Sequence, residues 1–123
     1  MVAELILIVE DNEKNLKLAR DLLQVKGYQT LEAGTAELGV ELARRHMPQL
    51  ILMDIQLPGM DGVAALGQLK ADPTTAKIPV IALTAFAMKD DRERFRSAGF
   101  DGYLVKPINI RELLGVVREF CEQ

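Results

Sequence analysis

The sequence predicts an α/β domain: five parallel strands in one doubly wound sheet, with helices on both faces. Three observations predict it. Short β-rich apolar runs alternate with longer helical patterns along the whole chain. Three of those runs are apolar without interruption, as in strands buried on both faces. The helical patterns carry cap or stop residues at their ends. Right-handed crossovers and one reversal of strand direction across the sheet give 2-1-3-4-5 as the expected strand order.

The first strand is Leu5-Ile6-Leu7-Ile8-Val9. Asn12 or Asp11 can cap the helix that follows and runs to Lys26, where Gly27 supplies a left-handed stop. Tyr28 to Ala33 is a weaker strand, placed at a sheet edge. Thr35 caps the second helix, but Leu38 at the reciprocal position is apolar, so no capping box forms. That helix closes on Arg44-Arg45-His46 before Pro48, cations at the negative end of its dipole. Leu50-Ile51-Leu52-Met53 is the third strand, and Pro58-Gly59-Met60-Asp61-Gly62 needs its glycines for turn geometry before a helix from Gly62 to Ala71. Pro79 to Leu83 is the fourth strand, with proline tolerated at its first position. A helix from Met88 to Ala98 stops at Gly99. Gly102 to Val105 is the second edge strand, and Asn109 caps a last helix from Ile110 to Glu122.

Length and composition fit a single domain spanning residues 1–123, with no residues left for an output domain. At 49% hydrophobic and 27% charged residues, the chain can bury its own core without a disulfide or structural metal. The one cysteine, Cys121, fits a reducing compartment and reads as an inert small hydrophobe. Fifteen basic against eighteen acidic residues leave a charge of −3, which argues against nucleic acid or an anionic membrane as partner. No apolar run approaches the ~18–20 residues of a membrane span, and Met1–Val9 lacks the basic flank of a signal peptide. A cytoplasmic location is expected.

In doubly wound folds the ligand site lies beyond the carboxyl ends of the central strands. There the sequence places Glu10 and Asp11 after the first strand, Asp54 after the third, Thr84 after the fourth and Lys106-Pro107 after the fifth. Three carboxylates so close repel one another, and a bound cation relieves them. With no histidine or cysteine nearby, the oxygen donors suit a hard ion, Mg²⁺, with Mn²⁺ as a substitute. Lys106 adds a compact positive charge, and Thr84 a donor for a phosphoryl oxygen. Asp54 is the geometric choice of nucleophile, leaving the adjacent Glu10 and Asp11 as metal ligands. Each residue alone reads as an ordinary loop or cap residue; four of five strands ending in such groups does not.

The stretches Leu7-Ile8-Val9-Glu10-Asp11-Asn12, Leu52-Met53-Asp54-Ile55-Gln56-Leu57-Pro58-Gly59-Met60-Asp61-Gly62, Leu83-Thr84-Ala85 and Val105-Lys106-Pro107 resemble a response-regulator receiver domain of the CheY-like superfamily, with a flavodoxin-like sheet. Within it, Thr84-Ala85-Phe86-Ala87-Met88-Lys89 and the segment around Asp54 resemble DivK-like single-domain regulators. The resemblance implies Asp54 as phospho-acceptor, Asp11 as a direct Mg²⁺ ligand, Glu10 acting through water and the Gln56 backbone carbonyl as a further ligand. It implies Thr84 and Tyr103 as a switch pair, the hydroxyl moving to the phosphoryl group and the ring turning inward behind it, and a cis bond at Lys106–Pro107. It also implies a sensor histidine kinase or histidine phosphotransfer protein as donor and a downstream protein as target, in cell-cycle or developmental control. Phosphorylation would remodel the face of the fourth helix, fifth strand and fifth helix. Glu10 departs from the commoner Asp at the first acidic position.

Other residues read more plainly. His46 matches its helix dipole rather than a phospho-carrier, and the alternating charges of Asp90 to Arg96 read as a solvated face. Leu16, Leu18, Ala19, Leu22, Leu23 and Val25 cover about 180° of the first helix, more than the ~100° that one sheet face requires. The excess is either a partner-docking edge with Asn12, Asn15, Leu18 and Leu22, or packing against the fifth helix. Gln56 and Phe86 flank the site and would tune water access. Alternative readings are a hybrid-kinase receiver, a pure phosphorelay shuttle, a phosphate-independent module and an aspartyl-nucleophile phosphohydrolase. The phosphohydrolase would want an acid where Gln56 stands. Flavin binding lacks its Gly/Ser-rich phosphate loop. The chain is therefore expected to be no enzyme beyond its own phosphotransfer and autodephosphorylation.

Overall fold

The computed structural model describes residues 4–57, 59–85 and 89–121. Five strands and five helices alternate: β1 (Leu5–Val9), α1 (Glu13–Val25), β2 (Gln29–Ala33), α2 (Ala36–His46), β3 (Leu50–Asp54), α3 (Gly62–Ala71), β4 (Val80–Thr84), α4 (Lys89–Ala98), β5 (Gly102–Val105) and α5 (Ile110–Cys121). The strands form one parallel sheet in the order β2-β1-β3-β4-β5, as expected. Met88, Phe86 and Glu122 lie outside the described residues, as does Pro58.

The period-two alternation of strand side chains sorts the apolar residues onto two faces. Leu7, Val9, Ile51, Met53, Val80 and Ala82 face one core with Val40 and Ala43 of α2, Leu66 and Leu69 of α3, and Phe95 of α4. Ile6, Ile8, Leu50, Leu52, Ile81 and Leu83 face the other with Ala19 and Leu23 of α1 and Leu113 and Val117 of α5. Every residue of β3 and β4 is buried, which is why those runs are apolar without alternation. Each buried Leu, Ile, Val or Met side chain among them contributes about 1.5–3 kcal/mol relative to exposure.

The helix ends follow their local chemistry. Asn12, not Asp11, caps α1, its side chain accepting from the Lys14 and Asn15 amides. Thr35 caps α2 by accepting from the Leu38 amide, and Asp61 caps α3 through the Ala64 amide at 2.8 Å. Asn109 accepts from the Arg111 and Glu112 amides at the start of α5. Gly27 and Gly99 stand at φ 90° and 111° after α1 and α4. α2 ends at His46 as expected, and Met47, a residue with a side chain, takes the left-handed position after it at φ 50°. Its backbone still accepts the strain because its amide bonds the Ala43 carbonyl at 3.0 Å.

Gly62 departs from expectation. Its backbone is not left-handed; it is glycine because a Cβ there would lie 2.3 Å from the Asp54 carbonyl oxygen. Gly59, at φ 77°, is the glycine that the turn geometry itself requires. The first turn of α3 thus rests directly on the end of β3, with the Gly62 amide bonding the Ile55 carbonyl at 3.0 Å.

Candidate functional site

Because all strands are parallel, their carboxyl ends gather at one edge of the sheet, and the residues chosen from sequence meet there. Glu10 follows β1 and is pinned by its amide to the Ala33 carbonyl of β2 at 2.9 Å. Asp54 and Thr84 are the last residues of β3 and β4 and are buried within them, not placed beyond them. Lys106 follows β5, its amide donating to the Thr84 carbonyl at 2.7 Å, and the Lys106–Pro107 bond is cis.

Carboxylate oxygens of Glu10, Asp11 and Asp54 lie within 4.8 Å of one another. Glu10 is 1% exposed and Asp54 3%, whereas Asp11 is open to solvent. The Lys106 ammonium reaches between the two buried acids, 2.7 Å from Asp54 Oδ2 and 2.8 Å from Glu10 Oε2. Asp54 Oδ1 accepts from the Gln56 amide at 2.9 Å, and Glu10 Oε1 from the Asn12 amide at 3.1 Å. Lys106 thus neutralises one of three negative charges and leaves the cluster net negative.

The electrostatics follow from that shortage. Burial pushes the Glu10 carboxyl up to about 7, and the Asp54 carboxyl beside it adds to the rise. The Lys106 ammonium and the Asn12 amide oppose it without reversing it. For Lys106, burial pulls downward, but its bonds to Asp54 and Glu10 outweigh that and raise its pKa. Glu10 Oε2 is buried with an ion-pair neighbour but no directional hydrogen bond. A buried acceptor with capacity to spare, an all-oxygen donor set and an uncompensated negative charge fit a hard divalent cation such as Mg²⁺. Glu10, Asp11 and Asp54 are the residues able to hold it.

The remaining predicted residues are spread around this centre. Gln56 is exposed just beyond Asp54. Ala82 pairs with Tyr103 and Thr84 with Val105, so Thr84 and Tyr103 lie on the same sheet face. The Tyr103 ring is half-buried, and the Arg92 guanidinium sits 5.4 Å from its centre. Arg92 is thus a ring partner, which corrects the reading of α4's charges as solvated only. Along α1, Asn12 is engaged as cap and Asn15 is half-buried. Leu16 and Leu22 pack against the core shared with α5, so Leu22 is not a free docking residue. Leu18 and Val25 stay 39% and 81% exposed. Packing against the α5 side thus accounts for Leu16 and Leu22 in the broad apolar arc, and leaves Leu18 and Val25 outside it.

Three contributions were missed from sequence. Gly62 sets how closely α3 approaches the Asp54 backbone, and Ile55 and Leu57 anchor the loop after β3 in the core. The alternation of Ile55 and Leu57 with Gln56 was the available signal.

Comparison with known proteins agrees with this arrangement. Residues 6–118 match the response regulator receiver domain family. The polar-differentiation response regulator DivK of Brucella ovis is 46% identical over 115 residues, covering 94% of each chain. Two solved structures overlay closely. The receiver domain of the sensor histidine kinase PA1611 from Pseudomonas aeruginosa, with magnesium coordinated in its active-site cleft, is 34% identical with a TM-score of 0.90, over 99% of this chain and 100% of that one. The receiver domain of a signal transduction histidine kinase from Syntrophus aciditrophicus is 32% identical with a TM-score of 0.88, over 98% and 91%. With the acidic cluster, the cationic bridge and the strand order all in place, the chain belongs to the response regulator receiver domain family.

Proposed function

We propose that this receiver accepts a phosphoryl group on Asp54 from a phospho-histidine of a sensor histidine kinase or histidine phosphotransfer protein, and signals through phosphorylation-dependent contacts with a downstream protein. The observation that carries the reading is the Lys106 ammonium held between buried Asp54 and Glu10, with Asp11 completing the acidic cluster. An Asp54 carboxylate oxygen attacks phosphorus; the O–P bond forms as the donor's P–N bond breaks, and that electron pair returns to the imidazole, which takes up a proton. Mg²⁺, when bound, supplies positive charge to the phosphoryl oxygens. Asp11 would hold it directly, Glu10 through water, and Gln56 by its backbone carbonyl.

The protein's own groups do the rest. Lys106 offers its charge to a phosphoryl oxygen in place of the Asp54 oxygen it now neutralises. Thr84, at the end of the neighbouring strand, donates its hydroxyl to another. Moving Thr84 opens room on the face it shares with Tyr103, and the ring leaves Arg92 to fill it. The α4–β5–α5 face is then remodelled by a shift between two packings. Leu18, with Asn12 and Asn15 beside it, forms the edge that meets the donor.

The 46% identity to DivK over 94% of that protein's length supports a DivK-like regulator acting in polar differentiation or cell-cycle control. A receiver belonging to a hybrid kinase is the second reading, favoured by the similarity to two kinase receivers. No helix among the described residues is long and apolar enough to cross a membrane. Intact mass spectrometry with acetyl phosphate tests the proposal. One added phosphoryl group that requires both Mg²⁺ and Asp54, absent in Asp54→Ala, is the expected result. No adduct from acetyl phosphate or from any of a panel of phosphorylated kinases overturns it.

A further inference from the structure

The loop between β3 and α3 contains Gln56, and its conformation sets where that backbone lies relative to Asp54. Its inner limb is fastened closely: the Ile55 amide bonds the Leu83 carbonyl at 3.1 Å, the Gln56 amide bonds Asp54, and the Gly62 amide bonds the Ile55 carbonyl. The outer limb, Gly59 and Met60, is tied differently. A side chain from another element reaches it: Glu37, in the first turn of α2, accepts from the Met60 amide through Oε1 at 3.3 Å. A Cβ on Gly59 would lie 3.4 Å from that same oxygen, so the carboxylate sits against the Gly59–Met60 peptide. Met60 itself packs on the core on its other side.

We infer that Glu37 is a positioning residue of the phosphoryl site: it clamps the outer limb of the β3–α3 loop to α2 and so holds the Gln56 backbone in register with Asp54 for the cation. This rests on the function proposed above. Glu37 is exposed and belongs to none of the groups that meet the cation or the phosphoryl group, so it acts through the loop. What it supplies is an oxygen acceptor at a given place. Glutamine can supply the same acceptor without the charge, and alanine cannot.

Amide hydrogen exchange and Mg²⁺ titration on the full chain, compared among wild type, Glu37→Ala and Glu37→Gln, test the inference. In Glu37→Ala the Met60 amide should exchange about 3–10 times faster, and the Mg²⁺ dissociation constant should rise about 2–5-fold, the scale of one exposed hydrogen bond. Glu37→Gln should stay near wild type in both. Unchanged Met60 exchange in Glu37→Ala, or faster exchange with unchanged Mg²⁺ affinity, overturns it. So does loss of Mg²⁺ affinity in both variants alike, which would assign the effect to charge. A wild type that takes up neither Mg²⁺ nor a phosphoryl group refutes the function proposed above instead. Failure confined to this inference leaves a wild type that still binds Mg²⁺ and takes up a phosphoryl group.

Discussion

At the scale of single residues, the site is an electrostatic imbalance held in place by packing. Glu10 and Asp54 are buried at the ends of strands that cannot shift without breaking the sheet, and among the described residues Lys106 is the cation between them. Asp11 is the member whose charge can be removed without opening a cavity, because it is exposed. Asp11→Asn should therefore stabilise the metal-free protein, raising its melting temperature by about 2–4 °C, while weakening the stabilisation that added Mg²⁺ gives. Thermal melts with and without Mg²⁺ check both halves. A metal-free melting temperature lowered by the substitution would mean that Asp11 is paired rather than repelled.

Elements contribute by bringing backbone to the site and by fastening helices to one another. Gly62 lets α3 rest on the Asp54 carbonyl, so Gly62→Ala forces the helix start away from β3. The substitution should cost about 2–3 kcal/mol in denaturant unfolding and reduce phosphoryl uptake from acetyl phosphate. Wild-type stability in that variant would show that the contact yields freely. At the other end of α3, Asp72 accepts from the Thr74 amide and hydroxyl and from Arg44 of α2 at 2.9 Å. The Thr74 bonds first, and Arg44 after them, hold the Asp72 carboxyl below the usual carboxylate range. A depressed folded pKa gives stability that is present above the unfolded value and lost as pH falls through the folded one. Asp72→Asn should thus be less stable than wild type at neutral pH and converge with it in acid below the normal carboxylate range. Melting curves across pH 2–7 read this directly, and a constant gap would assign the loss to something other than titration.

At the scale of the whole molecule, the two sheet faces divide the labour. The α2, α3 and α4 face carries Tyr103 and the clamp of the β3–α3 loop; the other face is covered by α5 and by α1, on which Leu18 is exposed. Leu18 is 39% exposed, so truncating it removes little core contact. Leu18→Ala should slow phosphoryl transfer from a kinase several-fold, leave transfer from acetyl phosphate unchanged, and keep unfolding within about 1 kcal/mol of wild type. Equal slowing with both donors would place its effect in the fold rather than in docking. Buried Leu66, at the centre of the opposite core, makes the contrast: Leu66→Ala should cost about 3 kcal/mol with either donor's rate intact once folded.

Much of this was legible in the amino-acid order. Continuous apolar runs at β1, β3 and β4, cap residues at Asn12, Thr35 and Asn109, and glycine stops at 27 and 99 are local effects, each decided within a few residues. Parallel topology then sends every strand's carboxyl end to one edge, so Glu10, Asp11, Asp54, Thr84 and Lys106 could be grouped before their distances were known. Tertiary structure alone decided which of those groups pair: that Lys106 bridges Asp54 and Glu10, that Glu10 is the acid pushed up by burial, and that Arg92 covers Tyr103. It also decided that Leu22 packs while Leu18 does not, that Gly62 serves a close approach rather than a turn, and that Glu37 reaches Met60 from 23 positions away. Periodicity and capping act along the chain and can be read there, whereas burial, pairing and close approach depend on which elements end up adjacent in space.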